Sequence, residues 1–309
     1  MELFERNRDM PKKIWLGFIV AVMMSLVVAL YGCGGGNEKS QTEDTTTEAV
    51  EVVVKDSVND YTWEELSAIS AEISSAQSED EAIKVAKSYN LTTTAGKLTG
   101  EQTKTVQLSN GQTTEVQIAG FWHDEKVSGG KAGITFIFNE AIDEEVMDSS
   151  DSISGGWKNS DLREWLAGNG FRMLPSDLSS KILEVNKKTN NAGFTDSASS
   201  VTSTSDKLWL FSLVELYGSY DWFVPSLAQY SGVLNAEGSE YKLFRDKAVS
   251  AREKNSVLEK TYDSDLYPWW TRSPNPDSSS FYGIVEEDGK DWENAHAKYY
   301  AAVVPGFCI

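Results

Sequence analysis

This 309-residue chain is poor in several things that commonly define a protein, beginning with cysteine, of which it has two, Cys33 and Cys308. One pair permits at most one disulfide, so the chain must be held by a core and not by cross-links. Histidine is as scarce, with only His123 and His296. No H-E-x-x-H, G-x-S-x-G, Walker or dinucleotide pattern occurs, which removes the common sequence-readable routes to metalloprotease, hydrolase and nucleotide chemistry. Positive charge is the third shortage: 28 Lys+Arg stand against 47 Asp+Glu, a net charge of −19. Such a surface repels phosphate backbones and excludes nucleic acid as the expected partner. It repels anionic lipid headgroups as well.

Long apolar runs are also missing, with one exception at the start. Arg6, Arg8, Lys12 and Lys13 precede Ile14–Leu30, which is apolar apart from Gly17 and Ser25. That is a charged n-region followed by an h-region, at the short limit for a bilayer span. It ends in Leu30-Tyr31-Gly32-Cys33, which resembles the bacterial lipobox. The resemblance implies a signal peptide over 1–32, lipidation of Cys33, and a chain anchored to the outer face of the cell membrane by that lipid. A retained signal anchor is the alternative, and it gives the same extracytoplasmic address. Residues 33–59 begin with Gly34-Gly35-Gly36 and continue in Ser, Thr, Gln and Glu. They bury too little apolar surface to offset ordering entropy and read as a disordered tether.

The folded part opens with caps. Thr62-Trp63-Glu64-Glu65 and Ser78-Glu79-Asp80-Glu81 fit the capping box, and Leu66, Ile69 and Ile73 follow at helical spacing. The pattern predicts a helical hairpin over 60–95. The period then becomes two: Val106 and Leu108, then Val116 and Ile118, flank Asn110-Gly111, which predicts a β-hairpin. Ile134–Phe138 reads as a third strand. Farther on, Ser160 and Pro175 mark short helices, and Asp206–Phe211 is a strand covered on both faces. Ser212-Leu213-Val214-Glu215 is a third capping box, Gly193–Ser205 reads as a loop, and Phe281–Val285 as another strand.

Six ordered motifs carry a more specific signal. These are Gly155-Gly156-Trp157, Leu162-Arg163-Glu164-Trp165-Leu166, Leu174-Pro175-Ser176-Asp177-Leu178, Thr204–Leu210, Trp269-Trp270-Thr271-Arg272-Ser273-Pro274 and Pro305-Gly306-Phe307-Cys308-Ile309. Together, over roughly 103–309, the chain resembles a family of bacterial cell-surface domains of unknown function. Its members sit on lipoproteins and wall proteins and are similar in fold to C-type-lectin-like domains and formylglycine-generating enzymes. The resemblance implies an α+β fold, a C-type-lectin-like domain over 96–309 with a twisted antiparallel sheet and short helices. It implies no ligand.

Function is then a choice between binding and chemistry. Ten aromatic residues lie between Thr261 and Ile309. The Trp269 motif and the apolar Val303–Ile309 run frame a segment that mixes rings with amides and charges. Its candidate ligand contacts are Tyr282, Trp292, Asn294, His296, Lys298, Tyr299 and Tyr300, a composition suited to stacking on sugar rings or anchoring a protein. The alternative is a hydrolase-like or metal-dependent site using His123 with Asp124 and Glu125 as carboxylate orienters. Asp263, Asp265, Asp277 and Glu286-Glu287-Asp288 carry oxygen ligands suited to calcium, but none has the spacing of a calcium loop. The expectation is a monomeric, non-enzymatic binding module without cofactor or metal, recognising a glycan or protein.

Overall fold

The computed structural model describes residues 52–219, 229–290 and 294–309. The leader, Cys33 and Trp292 lie outside the described residues. Everything described belongs to one compact unit, 49–309.

The helical pair forms as its caps require. In α1, Trp63–Ser74, the Thr62 hydroxyl accepts from Glu65 N at 3.1 Å while the Glu65 carboxylate accepts from Thr62 N at 2.7 Å. In α2, Glu79–Ser88, Ser78 accepts from Glu81 N, but Glu81 reaches back to Gln77 N instead of completing the box. Leu66, Ile69 and Ile73 face inward at no more than 1% exposure. The pair shares its core with the C-terminal strand: Trp63 meets Phe136 and Phe307 edge-on, with ring centroids 5.6 and 6.1 Å away. Ser70 accepts from Ile134 N at 3.1 Å and donates to the Ile309 carbonyl. Gly133 permits this approach, since a Cβ there would lie 2.0 Å from the Ser70 carbonyl oxygen.

After the helices come β1 (Thr103–Gln107), β2 (Thr113–Phe121), β3 (Ile134–Phe138) and β4 (Asp143–Val146). Short helices follow: α3 (Gly156–Asn159), α4 (Asp161–Trp165) leading into a π-helical turn at Leu166–Gly170, and α5 (Ser176–Ser179). A hairpin of β5 (Val185–Asn190) and β6 (Val201–Asp206) precedes α6 (Leu213–Tyr217), α7 (Ser231–Asn235) and α8 (Lys242–Asp246). The chain closes with β7 (Thr261–Tyr262), β8 (Asp265–Leu266), β9 (Trp269–Pro274), β10 (Phe281–Val285), β11 (Asn294–His296), β12 (Tyr300–Val303) and β13 (Gly306–Cys308). The fold is therefore mixed α+β, with short helices and largely antiparallel sheets.

A four-stranded sheet runs β1-β2-β3-β13 and a five-stranded sheet runs β11-β10-β9-β12-β4, its β9/β12 pair being parallel. The apolar Val303–Ile309 run is divided between two strands in different sheets, ending β12 and forming β13. Val304-Pro305 carries the chain from one to the other, Pro305 supplying no donor but accepting from Phe138 N at 3.1 Å. One short apolar segment thus stitches both sheets, and Val303 to Ile309 are buried throughout.

The middle departs from the reading of its sequence. The ladder pairs Val185↔Asp206 through Asn190↔Val201, and its second strand takes up the end of what read as a loop over Gly193–Ser205. The apolar run Leu208–Phe211 is buried but forms no strand; Trp209 bridges Gly306, and the Phe211 carbonyl accepts from Arg272 N at 3.0 Å. The inward side chains of the hairpin include Lys187, Thr189, Thr204 and Asp206. Their burial rests on ion pairs and hydrogen bonds, so no apolar alternation marks them.

Candidate functional site

The end of the five-stranded sheet is shaped by a crossover. The chain leaves β11 at the sheet edge, passes β10 and β9, and re-enters as β12, with Ala297–Tyr299 as the link. Ala297 N donates to Ser280 O at 2.8 Å and Ala297 O accepts from Asp148 N at 2.9 Å, so neighbouring loops hold the crossing. Asp151 completes it. Its carboxylate takes Lys298 Nζ at 2.8 Å and lies 3.1 Å from His296 Nδ1. The Lys298 hydrogen bond, with a smaller contribution from His296, holds that carboxyl below its usual range. His296 is flanked by rings, Phe281 edge-on at 4.3 Å and Tyr299 at 5.1 Å. Tyr299 is 38% exposed and Tyr300 58%.

Of the residues picked out in the sequence, His296, Lys298, Tyr299 and Tyr300 come together here, and Asn294 is exposed on β11. Tyr282 does not join them. It is 1% exposed, its ring edge-on to Trp270 at 6.5 Å, because alternation along β10 turns it inward when Phe281 points the other way. Trp292 lies outside the described residues. Phe281 and Asp151 were not anticipated; Asp151 is 145 residues from His296, and no local pattern connects them.

The His123 segment is organised differently from the expected base and carboxylate pair. Trp122 closes β2 in the left-handed region, φ 54°, a strained choice for a large side chain. The kink lays His123 on the Tyr241 ring, centroids 3.8 Å apart, and sends Asp124 into the interior. There Asp124 accepts from Lys187 Nζ, the Tyr241 hydroxyl and the Thr135 hydroxyl, each at 2.7 Å. Burial alone would raise the Asp124 carboxyl; Lys187, His123 and these hydrogen bonds hold it well below the ordinary range. Burial lowers the His123 imidazole. Glu125 is on the surface with Lys131.

From Lys187 the charges continue. Its ammonium is 2.7 Å from Glu215, and Glu215 receives both terminal nitrogens of Arg272. Arg272, fully buried, also donates to Leu210 O at 2.7 Å and Glu237 O at 3.1 Å. Glu237 accepts from Asn190 N at 2.9 Å and from Ser273, and burial pushes its carboxyl up to about 7. At the third capping box Glu215 accepts from Ser212 N at 3.0 Å, and the Ser212 hydroxyl makes no hydrogen bond among the described residues. Burial raises the Cys308 thiol strongly, and its sulfur lies 3.3 Å from the Thr135 hydroxyl. The cluster joins β2, β5, α6 and β9 and leaves its carboxylates engaged by cations and donors.

A surface cleft of about 590 Å³ lies between α4 and β6. Lys158, Arg163 and Lys207 face Glu164, Glu184 and Asp206 in it, and Arg163 Nε already holds Asp206 at 2.6 Å. Of the acidic groups weighed for calcium, Asp277 accepts from Tyr230 at 2.7 Å and Asp288 pairs with Lys290. Among the described residues no group of three or more His, Cys, Asp or Glu side chains is placed to hold a metal ion. No described helix is long and apolar enough to cross a membrane.

These features define a mixed α+β domain with a loop-built end and a buried ionic spine. The chain belongs to the family described as Domain of unknown function (DUF6273), whose model matches residues 132–309. That match takes in the crossover, Lys187, Glu215, Glu237 and Arg272, and begins after Asp124. No curated protein and no solved structure matches the chain.

Proposed function

We propose that this protein is a binding module of C-type-lectin-like architecture, tethered by a lipid on Cys33 to the outer face of a bacterial membrane. It acts as a monomer and uses no catalytic residues, recognising a glycan or protein through the crossover between β11 and β12. The observation that carries this reading is the exposed Tyr299–Tyr300 pair beside a laterally fixed His296–Asp151–Lys298 group. Rings that remain exposed next to the buried Ala301–Val303 run of β12 are poor candidates for core and good ones for contact. The framework leaves this end free to vary in side chain without loss of the sheet.

The test uses the full chain in mild detergent, on a glycan array and against immobilised proteins from host and neighbouring cells. Tyr299→Ser/Tyr300→Ser should lose the ligand found. Exposed substitutions typically change stability by about 0.5 kcal/mol or less, so Tm should move by only about 2 °C per site. An unfolded double variant would make the rings core; a folded one that still binds would move the site elsewhere.

A further inference from the structure

Four loops meet at the crossover end, and the 148–153 loop is their hub. Asp151 holds His296 and Lys298, Asp148 holds Ala297, and Ile153 N donates to Ser279 O at 3.1 Å in the β9–β10 turn. On its other side Ile153 abuts Gly193: a Cβ on Gly193 would lie 2.7 Å from the Ile153 carbonyl oxygen, and Gly193 has φ +90°. The next residue, Phe194, is the most exposed aromatic among the described residues, at 64%.

Phe194 is exposed on a loop that is tied down, not on a loose one. Asn190, 1% exposed, donates through Nδ2 to Gly193 O at 2.6 Å and accepts from Ala192 N and Gly193 N at 3.2 Å each. Its own N–H is fixed to Glu237 of the buried cluster at 2.9 Å. A large apolar side chain presented from a preorganised loop loses little further entropy when covered. Chain reach of about 3.5 Å per residue through the hub puts Phe194 within roughly 20 Å of the His296 group. A patch of about 800 Å² per partner, the usual size of a protein interface, is wide enough to take in both.

Charge narrows the partner. The four loops, 148–154, 191–200, 275–281 and 296–300, carry Asp148, Asp151, Asp196 and Asp277 against Lys298, on a chain of net charge −19. We infer that this loop end binds a protein, with Phe194 as a second anchor beside Tyr299 and Tyr300, and that the partner offers an apolar pocket rimmed by Lys and Arg. The inference rests on the binding reading above and adds the partner class and Phe194. Complementary charge raises association rates and makes them salt-dependent.

The experiment uses defined probes on the full chain in non-ionic detergent. These are 12-residue peptides combining Lys and Arg with Leu, Phe and Met, copies with the basic residues replaced by Asp and Glu, copies with the apolar residues replaced by Ser, and a set of neutral oligosaccharides. The basic apolar peptides should bind, the acidic and Ser copies at least about tenfold more weakly, with affinity falling between low and high salt. Phe194→Ser should lose at least about tenfold with unchanged circular dichroism and melting. Equal binding by Phe194→Ser, no preference for basic over acidic peptides, or no peptide binding at all would overturn the inference. Oligosaccharide binding that needs Tyr299 and Tyr300 but not Phe194 would also overturn it, leaving the crossover reading intact. Loss of every ligand response in Phe194→Ser but none in Tyr299→Ser/Tyr300→Ser would instead remove the crossover reading.

Discussion

Replacing Lys187 with Met tests whether the buried ionic spine holds the hairpin β5–β6 to the rest of the core. The Lys187 side chain is 2% exposed, and its ammonium is 2.7 Å from both Asp124 and Glu215. Methionine fills similar volume but leaves two buried carboxylates short of a cation. Removing one partner of a buried pair costs about 3–5 kcal/mol, a large share of the roughly 5–15 kcal/mol of a typical domain. The pH response distinguishes this from lost packing. In the wild type the folded Asp124 pKa is depressed, so its contribution is present above the unfolded value near 3.9 and is lost only as pH falls below it. Without Lys187, desolvation prevails and the folded pKa rises above the unfolded one, so acidification stabilises the variant. Glu237 titrates in both proteins and should largely cancel in the difference. Urea titrations followed by tryptophan fluorescence at pH 8 and pH 5 should show a gap of about 3–5 kcal/mol at pH 8 that narrows at pH 5. A gap under about 1 kcal/mol, or one that does not narrow on acidification, would refute the reasoning.

Glu237→Gln should remove a pH slope. A carboxyl raised to about 7 in the folded state, against an ordinary value of 4.5, contributes most below 4.5 and loses that contribution as pH climbs through 7. The variant should therefore gain on the wild type between pH 5 and 8, by up to about 3 kcal/mol; parallel urea midpoints would contradict this. Trp270→Ala should cost about 3–5 kcal/mol, since the ring is fully buried and its N–H reaches Glu145 O at 2.9 Å; an unchanged midpoint would count against the core assignment. Cys33→Ser should release the chain from membranes or leave it unprocessed, and an unmodified Cys33 in the wild-type mature mass would contradict the lipid anchor.

Where local chemistry decides the backbone, the sequence was legible. Thr62 with Glu65, Asn110-Gly111 between alternating residues, Ser160 before its helix and the Phe281–Val285 strand all act over a few positions. The hairpin β5–β6 was not legible, because Lys187 and Thr204 are buried by partners distant in sequence. Glu215 was visible as a cap, but its larger role, facing Arg272 and Lys187, depends on residues 57 and 28 positions away. At the site, His296, Lys298, Tyr299 and Tyr300 fall within five consecutive positions of the segment that the framing motifs marked, whereas the crossover that carries them follows from the sheet order. Tyr282 was misplaced because Phe281-Tyr282-Gly283-Ile284-Val285 is apolar throughout and gives no alternation from which to assign faces. Asp151 and Phe194 depend on tertiary contacts alone.

The most direct test of the recognition surface is hydrogen–deuterium exchange of the full chain with and without whichever glycan or peptide binds it. Slowed exchange should concentrate in 148–153 and 294–300, leaving the α4–β6 cleft at Lys158, Arg163 and Lys207 unchanged. Protection confined to that cleft, or to the His123 turn, with 294–300 exchanging as in the free protein, would contradict the assignment.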